Sequence, residues 1–205
     1  MFPLGAALLP GEQLPLRIFE PRYRQMLRDC LSGDGTPTSG FGVVLIARGR
    51  EVGGGDVRHD VGTFADIDTV VTESDGQAQL SCTGGWRFRV IEWLPDAPYP
   101  HALIRPLPEP AVDDASVQHL VDIGTRIRAL VDASLQARGL EIDDDDVPRF
   151  DAADLAAVGI FGWAARLPIG PADRQDLLEA DDWSARCHVF DEAVTTLEAR
   201  IRFGA

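Results

Sequence analysis

The chain has 205 residues, with 33 acidic and 19 basic side chains and a formal net charge of −14 at pH 7. Its apolar fraction of 45% and charged fraction of 25% are typical of a folded globular protein, which excludes a disordered chain and a disulfide-stapled miniprotein. Such an acidic chain repels phosphate backbones and anionic lipids, so we expect neither a nucleic acid nor a membrane among its partners.

Lysine is absent, since all 19 basic residues are Arg. A phosphate-binding loop and a Ser–Lys catalytic dyad each require a lysine, so we expect neither ATP hydrolysis nor proteolysis of the Ser–Lys type. The three cysteines, Cys30, Cys82 and Cys187, lack metal-ligand spacing and are interpreted as reduced, buried thiols. The sequence therefore predicts no catalytic residue, no cofactor and no metal site.

Neither a signal peptide nor a membrane span is predicted. The chain begins Met1-Phe2-Pro3-Leu4, without the basic residues that open a signal peptide. The longest apolar stretch, Phe41–Ala47, is far shorter than the roughly 20 residues that cross a bilayer. We therefore expect a cytoplasmic protein.

Short strands joined by turns are predicted for residues 1–110. Pro10-Gly11 and Gly84-Gly85 are turn signals that are expected to separate neighbouring strands. Several short strands at this spacing are typical of a β-barrel or a small β-sandwich. Apolar or alternating runs indicate strands over Leu4–Leu9, Leu14–Phe19, Phe41–Ala47, Asp66–Thr72, Gln79–Cys82, Trp86–Trp93 and Ala102–Arg105.

One helix is predicted within this β-rich part. Pro21 suits the first position of a helix, because its missing N–H would have no partner there. An apolar stripe with helical spacing follows, made of Tyr23, Met26, Leu27, Cys30 and Leu31. The helix is expected to end at Gly33 and to pack this stripe against the strands.

Helices are predicted after Pro110. The first carries an apolar stripe from Val117 to Leu135 and stops near Gly139. Asp151 and Asp182 are expected to cap two further helices, because a carboxylate accepts hydrogen bonds from the free N–H groups of a first turn. Between these two helices, Gly170-Pro171 opens a short one.

Two domains follow from this change of pattern, a β-rich one over residues 1–110 and an α-helical one over residues 111–205. The first carries 14 acidic and 10 basic side chains, and the second carries 19 acidic and 9 basic ones. Most of the negative charge therefore belongs to the helical part.

A set of motifs runs through both parts. The segments are FPL at 2–4, LPG at 9–11, LPLRIFEPRYR at 14–24, GVVLI at 42–46, VGTFADI at 61–67, GWRFRV at 85–90, PYP at 98–100 and QDLLE at 175–179. In these segments, and above all in LPLRIFEPRYR, the chain resembles the N-terminal, substrate-binding domain family of Lon protease. The resemblance covers nearly the whole chain.

The resemblance implies an α+β fold in which a PUA-like β-barrel with one helix precedes an α-helical bundle. It also implies a non-enzymatic module that recognises polypeptides, an adaptor or a chaperone-like protein that lacks the ATPase and protease parts of Lon. Two alternatives stay open: a regulatory subunit that pairs with a separate ATPase or protease, and a small enzyme with carboxylate chemistry that no motif marks. Because the chain is acidic, unfolded segments that mix apolar and basic residues are the expected partners.

Three residues are candidates for peptide binding. Trp93 and Tyr99 are large amphipathic side chains of the kind that dominate binding hot spots. Arg22 is a candidate ligand for a peptide carboxylate, whereas an internal ion pair is the interpretation that we favour for Glu20 and Arg24. Core positions are expected for most of the other large rings, Trp86, Trp163 and Trp183.

Four further patterns are interpreted without a site. The glycine-rich segment 52–56 lacks the lysine and the following helix of a phosphate loop. The run Asp143–Asp146 lacks the Gly and Glu of a calcium loop and is expected to be a solvated linker. His119 and Asp122 have the spacing of a helical surface contact, and Cys187-His188 would point to different sides of a helix.

Overall fold

Six strands and five helices are present in the part of the chain that the computed structural model describes, residues 1–31, 39–51, 55–139 and 147–203. The strands are β1 (Phe2–Leu4), β2 (Gln13–Ile18), β3 (Gly40–Arg48), β4 (Val57–Thr72), β5 (Ala78–Leu94) and β6 (His101–Pro106). The helices are α1 (Pro21–Leu31), α2 (Asp114–Ala137), α3 (Ala152–Ala165), α4 (Pro171–Glu179) and α5 (Trp183–Phe203).

Three predicted features lie outside the described residues: the helix end at Gly33, most of the glycine-rich segment 52–56 and the acidic run Asp143–Asp146. The chain divides into two compact units, Met1–Pro108 with all six strands and α1, and Glu109–Ala205 with α2 to α5.

The strands form one mixed sheet in the first unit. Their order is β1-β3-β4-β5-β2, and β6 pairs with β5 outside this path. β1 runs parallel to β3, and the other pairs are antiparallel. β5 pairs with three strands. β4 lies along one edge, and the other edge is shared by β2, up to Thr83, and β6, from Phe88. The predicted α+β class is confirmed.

The sheet is open within the described residues. Its order ends at β1 on one side and at β2 and β6 on the other. Closing a sheet into a barrel requires its edge strands to pair, and the pairings of the three-residue β1 are with β3 alone. The strands implied by the resemblance are therefore present, but they do not form a closed barrel.

The first strand lies earlier in the chain than predicted, over Phe2–Leu4. The apolar run Leu4–Leu9 was expected to be a strand, but β1 ends at Leu4. Leu8 and Leu9 are buried all the same, at 4% and 0% exposure. Their backbone groups have partners outside any sheet, since Thr63 Oγ1 donates to the Leu8 carbonyl at 2.6 Å and Leu9 N–H donates to the Glu12 carboxylate at 3.0 Å.

Strand β5 continues through Gly84, where a break was predicted. A Cβ at Gly84 would lie 2.2 Å from the Leu9 carbonyl oxygen, and the Gly84 carbonyl accepts a hydrogen bond from Gly11 N–H at 2.7 Å. Glycine is needed here because another backbone segment approaches the strand, not because the chain turns. The turn into β5 contains Gly76, which has a φ of 78°.

The larger hydrophobic core of the first unit joins α1 to the sheet. Tyr23, Met26 and Leu27 of the predicted stripe are buried in it. Leu31 does not belong to this core and is 51% exposed, so the prediction is wrong at this residue. Cys30, in the same turn, still packs against this core, so the stripe leaves the core only at Leu31.

The helical unit is built around α2 and α5. Leu120, Ile123 and Ile127 of α2 are buried, as are Phe190 and Val194 of α5. None of the described helices combines the length and the apolar character of a membrane span.

Both predicted caps of this unit are confirmed. Asp151 accepts from Asp154 N–H at 2.9 Å, and Asp182 accepts from Ala185 N–H at 2.8 Å.

The three cysteines are free thiols. Cys82 and Cys187 are buried and Cys30 is half-buried. Burial raises the pKa of the Cys82 thiol to about 11 and also raises the pKa of Cys30 and Cys187. All three side chains therefore stay protonated near neutral pH, where a thiolate would be the reactive form.

Candidate functional site

Trp93 lies in the last part of β5, beyond a bulge that separates Val90 from Glu92. Its side chain is half-buried, and its indole N–H donates to Asp60 Oδ1 at 2.9 Å. The guanidinium of Arg58 lies 4.9 Å from the centre of the ring, within the range of a cation–π interaction. The indole is thus held at both its edge and its face.

Arg58 is itself held by two carboxylates. Its Nε lies 2.5 Å from Asp56 Oδ2, and its Nη2 lies 3.3 Å from Asp96 Oδ2. Burial raises the pKa of the Asp56 carboxyl, but the hydrogen bond and the charge of Arg58 outweigh this effect, so the pKa lies below its usual value. Asp56 and Arg58 therefore form an ion pair that is mostly shielded from solvent.

Tyr99 follows the cis peptide bond between Ala97 and Pro98. Its hydroxyl donates to Asp29 Oδ2 of α1 at 2.9 Å, and its ring stacks on His101 at 4.3 Å between centroids. Burial, together with the hydrogen bond to Asp29, raises the pKa of Tyr99 to about 12. Tyr99 connects the loop before β6 to the end of α1.

Arg22 forms the internal ion pair. Its Nε lies 3.1 Å from Glu20 Oε2, its Nη2 donates to the Glu51 carbonyl at 3.1 Å, and its guanidinium covers the ring of Tyr23 at 4.4 Å. The interpretation that paired Arg24 with Glu20 is wrong. The Arg24 guanidinium lies instead beside Gly76, where its Nη2 is 2.0 Å from the position that a Cβ on Gly76 would take. Which arginine meets Glu20 depends on the tertiary neighbours of the first helical turn.

Trp93 and Arg22 both lie near the Asp56–Arg58 ion pair, because Arg58 covers the Trp93 ring and the charge of Arg22 helps to lower the pKa of Asp56. Trp93 packs against the smaller hydrophobic cluster of the first unit, whereas Tyr99 packs against the larger one that contains Tyr23, the ring covered by Arg22. A role of these three side chains in peptide binding stays a prediction.

An apolar surface surrounds Trp93. Val44, Phe88 and Val90 are its buried base, and five apolar side chains pack on them while still reaching solvent. The ring of Trp86 extends this surface, because it stacks on Phe64 at 5.0 Å and meets the edge of Phe88 at 6.1 Å. We call this surface the aromatic face; its outer residues are Met1, Phe64, Trp86, Trp93, Ala102 and Ile104.

Trp86 is 42% exposed, so it does not share the core position that was expected for most of the large rings. Trp163 is fully buried as expected, and Trp93 and Trp183 are half-buried. The alternation of Phe88 and Val90 with arginines indicates a half-buried strand, but the stacking of Trp86 on Phe64 depends on the register between β5 and β4.

Two glycines make room for the base of the aromatic face. A Cβ at Gly42 would lie 2.8 Å from the tip of the Phe88 ring, and a Cβ at Gly62 would lie 2.9 Å from the same atom. Both distances are shorter than a carbon–carbon contact allows. The tip of the Phe88 ring therefore occupies the space that a side chain at Gly42 of β3 or Gly62 of β4 would need.

Carboxylates lie beside the aromatic face. Asp60 and Asp66 are exposed residues of β4. Asp60 accepts the hydrogen bond from Trp93, and Asp66 Oδ2 lies 2.6 Å from where a Cβ of Gly85 would be, next to Trp86. Asp96, which bonds Arg58, adds a third carboxylate. These carboxylates outnumber the guanidinium of Arg58, so the described charges beside the aromatic face are mostly negative.

The helical unit has a polar pocket of about 330 Å³, lined by Asp113, Ser116, His119, Cys187 and His188 among others. The Cys187 thiol lies 3.7 Å from the Ser116 carbonyl, and burial raises its pKa. His119 lies 3.4 Å from Asp191 and not beside Asp122, whose partner is Gln118. This pocket contains no activated nucleophile.

A metal centre is not found either. Within residues 1–31, 39–51, 55–139 and 147–203, no three His, Cys, Asp or Glu side chains are grouped so that they could hold an ion.

The comparison with protein families decides the classification. The family described as the substrate-binding domain of ATP-dependent protease La (LON) matches residues 1–190. This chain belongs to that family. The resemblance predicted from LPLRIFEPRYR and the other motifs is thereby confirmed, and the family is one of substrate-recognition modules.

Two Lon proteases are similar to this chain over part of their length. The Lon protease of Phenylobacterium zucineum (strain HLK1) is 30% identical over 128 residues, and that of Methylocella silvestris is 33% identical over 132 residues. Each alignment covers 62% of this chain but only 16% and 15% of the two proteases, respectively.

Solved structures show the same fold over most of the chain. A Lon N-terminal domain protein from Xanthomonas campestris is 26% identical with a TM-score of 0.59, and the alignment covers 91% of this chain and 92% of that one. The N-terminal domain of the Lon protease from the Mycobacterium avium complex is 17% identical with a TM-score of 0.58, and the coverage is 94% and 96%. The second likeness concerns the fold alone.

Proposed function

We propose that this protein is a non-enzymatic polypeptide-recognition module that binds apolar segments of unfolded client proteins on its aromatic face. The observation that carries the proposal is the exposed stack of Trp86 on Phe64, continued by Trp93 along β5. Membership of the Lon substrate-binding domain family supports the same role.

The structure of the aromatic face suits weak binding of many segments. Large aromatic side chains bury much apolar area and lose little conformational freedom when a ligand binds, which is why they dominate binding hot spots. The Phe64 and Trp86 rings are nearly parallel, with an interplanar angle of 9°, and Trp93 is held by Asp60 and Arg58. A client segment therefore meets rings that are already ordered.

The charge around this face sets the preference for clients. Asp60, Asp66 and Asp96 surround the rings, and the chain as a whole has a net charge of −14. Lysine or arginine residues next to the apolar part of a client would be attracted, and acidic residues would be repelled. We infer that unfolded segments mixing apolar and basic residues are the clients.

The cellular role is an adaptor or a chaperone-like one in the context of a protease. The curated relatives carry the matching region as a small part of Lon protease. The chain contains no lysine, which supports the inference that it neither hydrolyses ATP at a phosphate loop nor cleaves peptides by a Ser–Lys dyad. It would hand clients to a separate protease or ATPase in the cytoplasm.

The test uses a fluorescently labelled peptide with alternating apolar and basic residues. We expect a dissociation constant in the micromolar range by fluorescence anisotropy, and Trp86→Ala should weaken binding about tenfold because the largest exposed ring is removed. Phe19→Ala is the matched control, since Phe19 is 51% exposed and is not part of the aromatic face; it should change the affinity less than twofold.

The proposal fails under two results. One is that no apolar peptide binds at millimolar concentration. The other is that Trp86→Ala and Phe19→Ala weaken binding equally, because the affinity would then not depend on the aromatic face.

A further inference from the structure

The apolar stripe of α2 continues beyond the part that the helical core covers. Ile123 and Ile127 are each 1% exposed. Leu130, Val131 and Leu135, in the second half of the same helix, are only half-buried. The C-terminal half of α2 therefore presents apolar side chains that the described part of the helical unit leaves accessible.

These side chains form the floor of a groove. One wall is α5, through Leu197 and Ile201, and the other is the corner at Leu167 and Pro168 after α3. The groove has a volume of about 210 Å³ and continues into a wider depression of about 490 Å³. Ile201 is 44% exposed although it lies among apolar neighbours. We call this site the α2–α5 groove.

Among the residues that the structure describes, the charged ones that line the α2–α5 groove are arginines, although residues 111–205 carry 19 acidic and only 9 basic side chains. They are Arg138, Arg166 and Arg200. Arg166 is paired with Asp154, and Arg200 donates to the Pro168 carbonyl. Arg138 is an exposed residue at the C-terminal end of α2.

We propose that the α2–α5 groove docks an acidic amphipathic segment of a partner protein. Apolar side chains of that segment would enter the floor, and its carboxylates would bind Arg138 and Arg200. Charge complementarity selects this occupant, because a basic segment would meet the same arginines and be repelled. The aromatic face, whose nearest exposed charges are carboxylates, selects the opposite kind of ligand.

The dimensions fit a short helix. From Ile127 to Arg138 the groove follows α2 for roughly 16 Å, the length of about three helical turns. Apolar side chains that repeat every three or four residues would lie in one row along this floor, with carboxylates on either side of the row. This second site does not depend on the aromatic face.

The experiment measures a labelled helical peptide with one apolar row and glutamates on both sides of it. We expect micromolar binding by fluorescence anisotropy, and Arg138→Glu should weaken it about tenfold. The matched control is Arg202→Glu, which also places a glutamate at the C-terminal end of a helix but does not line the groove. Arg202→Glu and Trp86→Ala should each leave the affinity of this peptide nearly unchanged.

The floor is tested in the same way. Ile201→Ser should weaken the acidic peptide, whereas Val158→Ser, an exposed apolar residue of α3 outside the groove, should not. Thermal unfolding of Arg138→Glu, Arg202→Glu, Ile201→Ser and Val158→Ser is the control that tests whether each variant is folded.

Four results would overturn the proposal. The first is that the acidic peptide does not bind at millimolar concentration, and the second is that Arg138→Glu and Arg202→Glu weaken binding equally. The third is that Trp86→Ala abolishes binding, because the peptide would then bind at the aromatic face. The fourth is that the protein is a dimer which Ile201→Ser converts to a monomer, because a second copy of the chain would then fill the groove. Loss of basic-peptide binding alone concerns the aromatic face and not this site.

Discussion

Arg58 organises the part of the first unit that carries Trp93. It contacts Asp56, which lies two residues before it. It also contacts Asp96 and the indole ring of Trp93, which belong to a later segment of the chain. The Asp56 and Arg58 side chains are only 3% and 11% exposed, so their charges are poorly solvated and depend on each other. Arg58 thus holds the ring of Trp93 in place, and under the proposed function it is a positioning residue for client binding.

The pKa of Asp56 leads to a prediction at this scale. Because the folded-state pKa lies below its usual value, the ion pair stabilises the protein above the unfolded pKa of about 3.9, and this contribution is lost as the pH falls through the folded-state pKa. Asp56→Asn should lower the free energy of unfolding by about 1–3 kcal/mol near neutral pH. The deficit should shrink as the pH falls below the unfolded-state pKa and through the lower folded-state pKa.

Urea unfolding of both proteins across this pH range provides the measurement. A deficit that is the same at neutral and acidic pH would show that the charge of Asp56 does not contribute.

At the scale of elements, α1 shows how a local pattern is completed by packing. Its apolar stripe buries Tyr23, Met26 and Leu27 against the sheet, while Arg28 stays on the solvent side, hydrogen bonded to Gln25 at 2.6 Å. Spacing of three and four residues is enough to place these side chains on one face. Packing then decides how much of the stripe is covered, since Cys30 contacts the core and Leu31 is left exposed.

Substitutions on the two faces of α1 should differ strongly. Leu27→Ala should lower the free energy of unfolding by about 2–5 kcal/mol, because it leaves a cavity in the larger core cluster. Arg28→Ala removes only an exposed side chain, and it should cost less than about 0.5 kcal/mol. Denaturant midpoints measure both changes, and equal shifts would place the wrong face of α1 against the sheet.

Helix α3 shows a second effect at this scale. Asp151 caps it as predicted, but its helical geometry is interrupted at Gly159, which has φ 67° and ψ 178°. Only glycine adopts this conformation without strain. The apolar pattern continues past the interruption, since Leu155, Ile160 and Trp163 are all buried. A kinked helix can therefore keep the burial pattern of a continuous one.

Charge acts at the scale of the whole molecule. The net charge is −14, and both parts of the chain are acidic. A field of one sign attracts oppositely charged ligands from a distance, and mobile ions screen it beyond a Debye length of about 10 Å at 0.1 M salt.

Binding of apolar–basic peptides should therefore weaken as salt is added. Titration of the labelled peptide at low and at physiological ionic strength should give a dissociation constant that rises several-fold. A peptide in which serines replace the basic residues controls for apolar binding and should respond little. If the affinity of the basic peptide is independent of salt, the carboxylates around the aromatic face do not contribute to recognition.

Sequence patterns were sufficient wherever a feature depends on neighbours along the chain. The buried residues of α1, the caps at Asp151 and Asp182, and the change from strands to helices after Pro110 all arise from spacing within a few residues. The LPLRIFEPRYR motif was specific enough to identify the family. Each of these signals is local, so no knowledge of the remaining fold is required to interpret it.

Tertiary structure alone decided how distant segments meet. The stack of Trp86 on Phe64, the ion pair of Arg22 with Glu20 in place of Arg24, and the contact of Gly84 with Leu9 depend on strand register and on the approach of separate segments. The same holds for the α2–α5 groove, because the apolar stripe of α2 does not tell which of its residues a neighbouring helix covers. Register and coverage are properties of pairs of elements, and a single stretch of sequence does not specify them.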